Sequence, residues 1–298
     1  TGPEVTKACL SCHTEAAKQV HKTPHWTWDF LNPTTEQRLG KKNVLNNFCI
    51  TPQSNFAYCT ACHIGYGWKD ESFDFTSEEN VDCLVCHDST GTYSKPPGKA
   101  GHPKDTVDLK YVAQNVDKTS RDTCGACHFF GGGGNGVKHG DMDNSLAVPE
   151  RELDVHMDAV GEDFTCATCH RHIEHDIAGS RYAPEAAHIE DYHIHRKQFE
   201  EENNAHCRAC HGNKPHKKAD KSRLNNHAKK IACQTCHIPR IARGGVATRI
   251  TWDWSTAGKL DENGEPLQQR VDGNLVYHGK RGSFSYAENV EPEYIWFN

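Results

Sequence analysis

The chain has little with which to build an ordinary core. Of its 298 residues only 36% are hydrophobic and two are methionine, and the mean hydropathy is -0.78. That is poor material for a conventional apolar interior of this volume, so something other than side chains must supply buried surface. Long apolar runs are also missing. No stretch approaches the roughly 18 consecutive apolar residues that a bilayer crossing needs, and no transmembrane segment is expected. No charged-then-apolar leader is visible at Thr1, so any export signal is expected to have been removed upstream of it. A basic excess is absent as well. The net charge of -6 and the pI near 6.4 argue against nucleic acid as a partner, while leaving local basic patches open.

What the chain does have is 15 cysteines and 21 histidines, residue types that hold iron cofactors and metals. Cys-x-x-Cys-His occurs seven times: Cys9-Cys12-His13, Cys59-Cys62-His63, Cys83-Cys86-His87, Cys124-Cys127-His128, Cys166-Cys169-His170, Cys207-Cys210-His211 and Cys233-Cys236-His237. These use fourteen of the fifteen cysteines. On a helical turn the thiols at i and i+3 share one face, where both can add to the vinyl groups of one haem, and the histidine at i+4 is placed for the iron. Zinc knuckles do not require histidine directly after the second cysteine seven times over, and a disulfide framework has no use for it. The motifs therefore predict seven covalently bound c-type haems. Because bacterial haem attachment to cysteine takes place outside the cytoplasmic membrane, a periplasmic or extracellular location follows from that chemistry.

Seven anchoring histidines leave fourteen others. An iron with two nitrogen ligands has no open position and relays electrons without binding substrate, so this surplus predicts that most of the haems act as wires. The favoured distal ligands are His25, His139, His156, His175, His216 and His227, each outside the helical turn of a motif. The competing reading for each is a surface or propionate-binding histidine. His206 directly precedes Cys207 and cannot reach over its own haem; His102, His188, His193, His195 and His278 are reserves.

About one motif per 43 residues implies porphyrins in contact with one another. Frequent Gly, Pro, Asn and Asp between motifs predict a mainly α structure with extensive loops, wrapped around a stacked haem array. A short helix is expected within Glu185–Ala205. The run at 131–136, Gly-Gly-Gly-Gly-Asn-Gly, suits backbone passing close to a porphyrin or adopting positive φ. Two parts are expected: a seven-motif haem domain at 1–240 and a motif-free segment at 241–298. In the latter, turn signals at Glu262-Asn263-Gly264 and Asp272-Gly273-Asn274 predict a small β-hairpin content. The aromatic ending Tyr294-Ile-Trp-Phe-Asn298 is unusual for a free terminus and is expected either to be a fragment end or to dock on a partner.

Several stretches together resemble the octahaem tetrathionate reductase family of multihaem cytochromes: Lys22-Thr-Pro-His25-Trp-Thr-Trp28, Asn46-Asn-Phe-Cys49-Ile50, Cys62-His63-Ile-Gly-Tyr-Gly-Trp68, Gly131 through Val137-Lys138-His139-Gly140-Asp141, and Cys233-Gln-Thr-Cys-His-Ile-Pro239. They span most of residues 7–240, and the tail from Glu291 looks like a segment that precedes the last haem site of that family. The resemblance implies that Lys138 is the distal ligand of the haem anchored by His63. An amine binds iron only when neutral, and deprotonation at pH 7 costs about 4.6 kcal/mol from an ordinary lysine pKa. Such a ligand is more easily displaced than imidazole and marks one iron that substrate could reach. The competing reading of Lys138 is a solvated lysine beside the distal ligand His139. The resemblance also places Cys49, the odd cysteine, beside that haem, where a thiol could meet a sulfur substrate; a buried inert thiol or an intermolecular bridge is the plainer reading. The family carries eight haems against seven motifs here, so an eighth would come from a missing segment or a partner.

Two functions compete. In the first, Lys138, Cys49 and His63 form a catalytic centre that reduces a small sulfur or nitrogen oxyanion such as tetrathionate, nitrite or hydroxylamine, with other redox proteins as electron partners. In the second, all haems are six-coordinate and the chain is an electron conduit, as a homo-oligomer or a polymerised extracellular filament. Hydroxylamine oxidation lacks support, and Cys-x-x-Cys-Lys, which a pentahaem nitrite reductase would use, does not occur.

Overall fold

The computed structural model describes residues 1–31, 36–45, 51–129, 142–177, 207–218 and 221–294. Short helices joined by long loops dominate, with a small antiparallel sheet towards the C-terminus. By packing, the chain divides into two compact units. One comprises Thr1–Ala147 with Phe164–Gly212, the other Val148–Asp163 with Asn213–Asn298.

Among the described residues of the first unit the α-helices are α1 (Gly2–Leu10), α2 (Ala16–Val20), α3 (Pro24–Thr27), α4 (Phe56–Cys59), α5 (Leu84–His87), α6 (Leu109–Gln114), α7 (Arg121–His128), α8 (Cys166–Cys169) and α9 (Cys207–His211). None is long enough to be stable on its own; local caps and the packing of the motifs hold them. The Ser120 side chain accepts from Thr123 N–H at the start of α7, and the Asp108 side chain from Tyr111 N–H at the start of α6, each satisfying a donor that the helix leaves unpaired. Pro24 opens α3 at a position where its missing N–H costs nothing.

Aromatic residues supply much of this unit's side-chain core. Ala17, Val20, Trp26 and Val81 form one buried cluster, and Trp28, Phe56 and Trp68 another, with Phe73 and Phe75 packed against both. Trp26 donates its indole N–H to the Phe75 carbonyl at 3.0 Å, which is how a large buried indole keeps its one donor paired. Thr6 of α1 donates to the Val81 carbonyl at 2.6 Å and so ties the first motif's helix to the strand-like segment that precedes the third motif.

The second unit is built on strands β5 (Thr248–Asp253), β6 (Gln268–Val271), β7 (Asn274–His278) and β8 (Gly282–Ala287), following the two-stranded ribbons β1 (Phe30–Leu31) with β2 (Arg38–Leu39) and β3 (His172–Ile173) with β4 (Asp176–Ile177) of the first unit. Its strand order is β5-β8-β7-β6, antiparallel throughout. The expected hairpin signal at Asp272-Gly273 is the two-residue turn between β6 and β7: Val271 pairs with Asn274, and both turn residues have positive φ, 48° and 80°. That is the turn whose twist matches the strands it joins. Tyr277 and Phe284 are buried against the sheet. At Gly282 (φ 85°) a side chain would collide with the Asp253 carbonyl, so glycine is required there. Among the described residues no helix is long and apolar enough to cross a membrane. The helix expected within 185–205, the glycine run and the last four residues lie outside the described residues. Tyr294 does have a place: its hydroxyl lies 3.1 and 3.0 Å from the carbonyls of Gln234 and Ile238, beside the seventh motif's helix, where the Gln234 carbonyl also accepts the Ile238 N–H.

Candidate functional site

All seven Cys-x-x-Cys-His motifs lie at or within a helical turn. The histidine N–H donates to the carbonyl of the first cysteine at 2.9 Å in the first motif, 3.2 Å in the third, 2.8 Å in the fifth and 3.0 Å in the seventh. The fourth motif is the C-terminal part of α7 and the sixth is the helix Cys207–His211. The second is a tighter turn, with His63 N–H donating to Thr60. A turn closed in this way puts both thiols and the imidazole on one side, the arrangement that attachment to a single haem demands.

The imidazoles are oriented by their remaining nitrogen. His87 Nδ1 lies 2.9 Å from the Asp117 carbonyl and His175 Nδ1 lies 2.8 Å from Gln19 Oε1. His216 Nδ1 faces Asn225 Oδ1 at 3.3 Å, while Asn225 returns an amide hydrogen bond to the His216 carbonyl at 2.8 Å. In each case an oxygen acceptor keeps the proton on Nδ1 and leaves the Nε2 lone pair for iron, the way ligating histidines are usually held.

Two pairs of imidazoles face one another. The ring centroids of His25 and His128 are 6.3 Å apart, with planes at 83°, and those of His216 and His237 are 6.1 Å apart, with planes at 15°. Both separations are close to what two metal–nitrogen bonds of about 2 Å each, plus the half-ring on either side, would span. His216 and His237 line a cleft together with Leu224, Ile231, Cys233 and Cys236. It is apolar walls, two thiols and two opposed imidazoles, a donor set that fits one c-type haem. Burial holds His25 neutral, its pKa lowered to about 4, with the nearby His128 adding to the effect.

The second motif is the most enclosed. His63 is fully buried and in ring contact with Trp26, Trp28, Trp68, Phe73 and Phe75. Its Nε2 lies 2.7 Å from the Trp26 carbonyl, while Nδ1 is buried without a hydrogen-bond partner. Burial lowers its pKa to about 3; the Trp26 carbonyl opposes that and the charge of Lys95 reinforces it. Beneath it runs a buried polar network. The Lys95 ammonium bonds the His63 carbonyl at 2.5 Å and Asp82 at 2.9 Å, and both side chains are almost wholly buried. Asp82 also accepts from Tyr66 at 2.7 Å and Tyr93 at 2.9 Å, and from Val85 N–H at 3.1 Å in α5. Burial, with Asp82 beside them, drives both phenols well above the ordinary tyrosine range. The network couples the backbone of the second motif to the residue before Cys83, the first cysteine of the third.

Comparison with known proteins finds c-type cytochromes. The family model for cytochrome c554 and c-prime matches residues 8–88, and that for bacterial cytochrome c matches residues 249–298. The crystal structure of an octahaem cytochrome c from Shewanella oneidensis superposes on the whole chain with a TM-score of 0.75 and 42% identity. The chain belongs to the multihaem c-type cytochromes. It spans 63% of the length of the octahaem cytochrome. An uncharacterized protein of Archaeoglobus fulgidus is 25% identical over 226 residues, 58% of this chain and 75% of its own length.

In this cytochrome the motifs approach one another through their thiols. Cys127 of the fourth motif lies within hydrogen-bonding reach of Cys62 of the second, and Cys124 within reach of Cys166 of the fifth. Cys83 is within 4.0 Å of Thr6, three residues before Cys9. Burial pushes the Cys83 and Cys86 thiols up to about 12 and 11, the environment of a group set against apolar surface.

Of the residues singled out by sequence, Lys138, His139 and Cys49 lie outside the described residues. His25, His175 and His216 each lie near an anchoring histidine, His175 having His87 among its charged neighbours. His227 lines the same cleft as His216, and His156 is exposed on the segment 148–163. Of the reserves, His102 stacks on Tyr66, and His278 accepts the Lys280 N–H on Nδ1. Gln19, Asn225 and the Lys95–Asp82–Tyr66–Tyr93 network were not visible as site residues in the sequence. Asp82, directly before Cys83, is the one signal that could have pointed to them.

Proposed function

We propose that this cytochrome carries seven haems outside the cytoplasm and passes electrons to a small sulfur or nitrogen oxyanion at the haem anchored by His63, with Lys138 as its displaceable ligand. The observation that carries the relay half of this reading is the facing of His25 with His128 and of His216 with His237. Two imidazoles on one iron leave no place for substrate. We assign His175, whose Nδ1 is held by Gln19, to the iron of His87, and His139, His156 and His227 to those that remain.

The catalytic half rests on the resemblance in the Lys138 segment and on the singular setting of His63. Its aromatic walls exclude water, and Lys95, paired with Asp82, holds its carbonyl. Haem bound there would supply one-electron redox chemistry. The residues' own part is to hold the imidazole and exclude solvent. Cys49 stands in the proposal as a thiol beside the same centre. The conduit reading competes, since each facing pair would close its iron to substrate.

Low-temperature electron paramagnetic resonance of the oxidised protein, with and without tetrathionate, nitrite and cyanide, separates the two when the wild type is compared with Lys138→Ala. One signal that responds to ligand and is altered by the substitution is the expected result. Uniformly unresponsive low-spin haems, unchanged by it, would establish a wire.

A further inference from the structure

The segment around the seventh motif has a charge opposite to that of the rest of the chain. Residues 213–230 hold six lysines and one arginine against a single aspartate, a balance of +6. With the chain at -6 overall, the other 280 residues therefore carry -12. Lys214, Lys217, Lys218, Arg223, Lys229 and Lys230 are all exposed, and among the described residues no ion pair joins them to a carboxylate. They bracket in sequence the residues Pro215, His216, Leu224, His227 and Ala228, which line the cleft that also holds Cys233 and His237. His227, Cys236 and His237 are themselves exposed. An exposed positive segment thus carries lining residues of an accessible candidate haem site in an otherwise acidic molecule. The field of such a segment orients an oppositely charged partner during diffusion and raises its encounter rate.

We propose that this face of the second unit is the docking surface for an acidic one-electron carrier protein, with the His216–His237 site as the point of electron exchange. Each encounter oxidises the carrier by one electron and reduces the cytochrome by one, with no bond made or broken. A small oxyanion would need one or two convergent cations in a concave site, whereas these six are spread over 17 residues of exposed chain. That spacing suits a protein face.

The test uses the full haem-loaded chain and flavodoxin as the acidic carrier, with basic mitochondrial cytochrome c as the control, and measures dissociation constants by titration calorimetry across ionic strengths. The expected result is binding to flavodoxin that weakens steeply with salt and is absent for the basic control. Lys214→Glu/Lys217→Glu/Lys229→Glu/Lys230→Glu is expected to weaken binding at least about tenfold at low salt, whereas Lys110→Glu/Lys118→Glu in the first unit leaves it unchanged. The corresponding glutamine variant should lie between. Equal loss in the Lys110/Lys118 variant, salt-independent binding, or tighter binding to vesicles of anionic lipid than to flavodoxin would overturn the proposal. Haem content of each variant, read from its pyridine haemochrome spectrum, separates loss of the haem site from loss of docking. The salt dependence of the unmodified protein decides the matter if a variant does not load.

Discussion

At the scale of single residues, the imidazole pairs make the sharpest demand. If His216 and His237 share one iron, His216→Gly removes one axial nitrogen and nothing else of that size from the cleft. The oxidised variant should gain one high-spin ferric signal, and added imidazole should abolish it. An unchanged low-spin spectrum would mean that His216 holds no iron. Lys95 makes a different demand. Its ammonium and the Asp82 carboxylate are both almost wholly buried, so removing one partner strands the other charge. Lys95→Met is expected to cost about 3–5 kcal/mol in stability, read as a lowered midpoint in denaturant. Lys95→Met/Asp82→Leu should recover part of that. A double variant no more stable than the single one would show that Tyr66 and Tyr93, not the ion pair, carry the interaction.

Elements show where sequence was informative and where it was not. The Cys-x-x-Cys-His turns could be foreseen because the spacing of three attachment atoms is itself a helical turn, and the Asp272-Gly273 hairpin because its dipeptide tolerates positive φ at both positions. Gly273→Ala at φ 80° should therefore destabilise the sheet by about 1–2 kcal/mol without moving the haem spectrum. The pairing of the hairpins into one sheet, by contrast, is long-range: β5 joins β8 across more than thirty residues, and no local pattern specifies it. His278, on β7, links the sheet to acid sensitivity. Its pKa is lowered by burial, with Arg281 and Lys280 contributing, so the folded state favours the neutral ring. Below the ordinary histidine range the unfolded chain binds the proton more readily, and stability falls as pH drops through that range. His278→Gln should flatten the acid limb of the stability profile; an unaltered limb would assign it to other groups.

For the whole molecule, the cofactor chemistry was legible and the ligand geometry was not. Attachment residues are contiguous in the chain, whereas His25 meets His128 across 103 positions, and His175 is oriented by Gln19 across 156. Such partners are set by the packing of motifs on one another, and the low apolar content only signals that something must fill the space between them. Porphyrin as that filling carries a global consequence. Every cysteine but Cys49 belongs to a motif, so complete loading consumes fourteen thiols and leaves one. Alkylation of the denatured, haem-loaded protein should modify a single cysteine, identified as Cys49 by peptide mapping, and the intact mass should exceed that of the polypeptide by seven haems. A smaller increment with additional alkylated pairs would identify which motifs stay empty. Because α7, which carries the fourth motif, packs against the turn of the second motif and against α5 of the third, an empty fourth motif should also loosen its neighbours. Preparations with partial loading are therefore expected to unfold in several steps, and fully loaded protein in fewer.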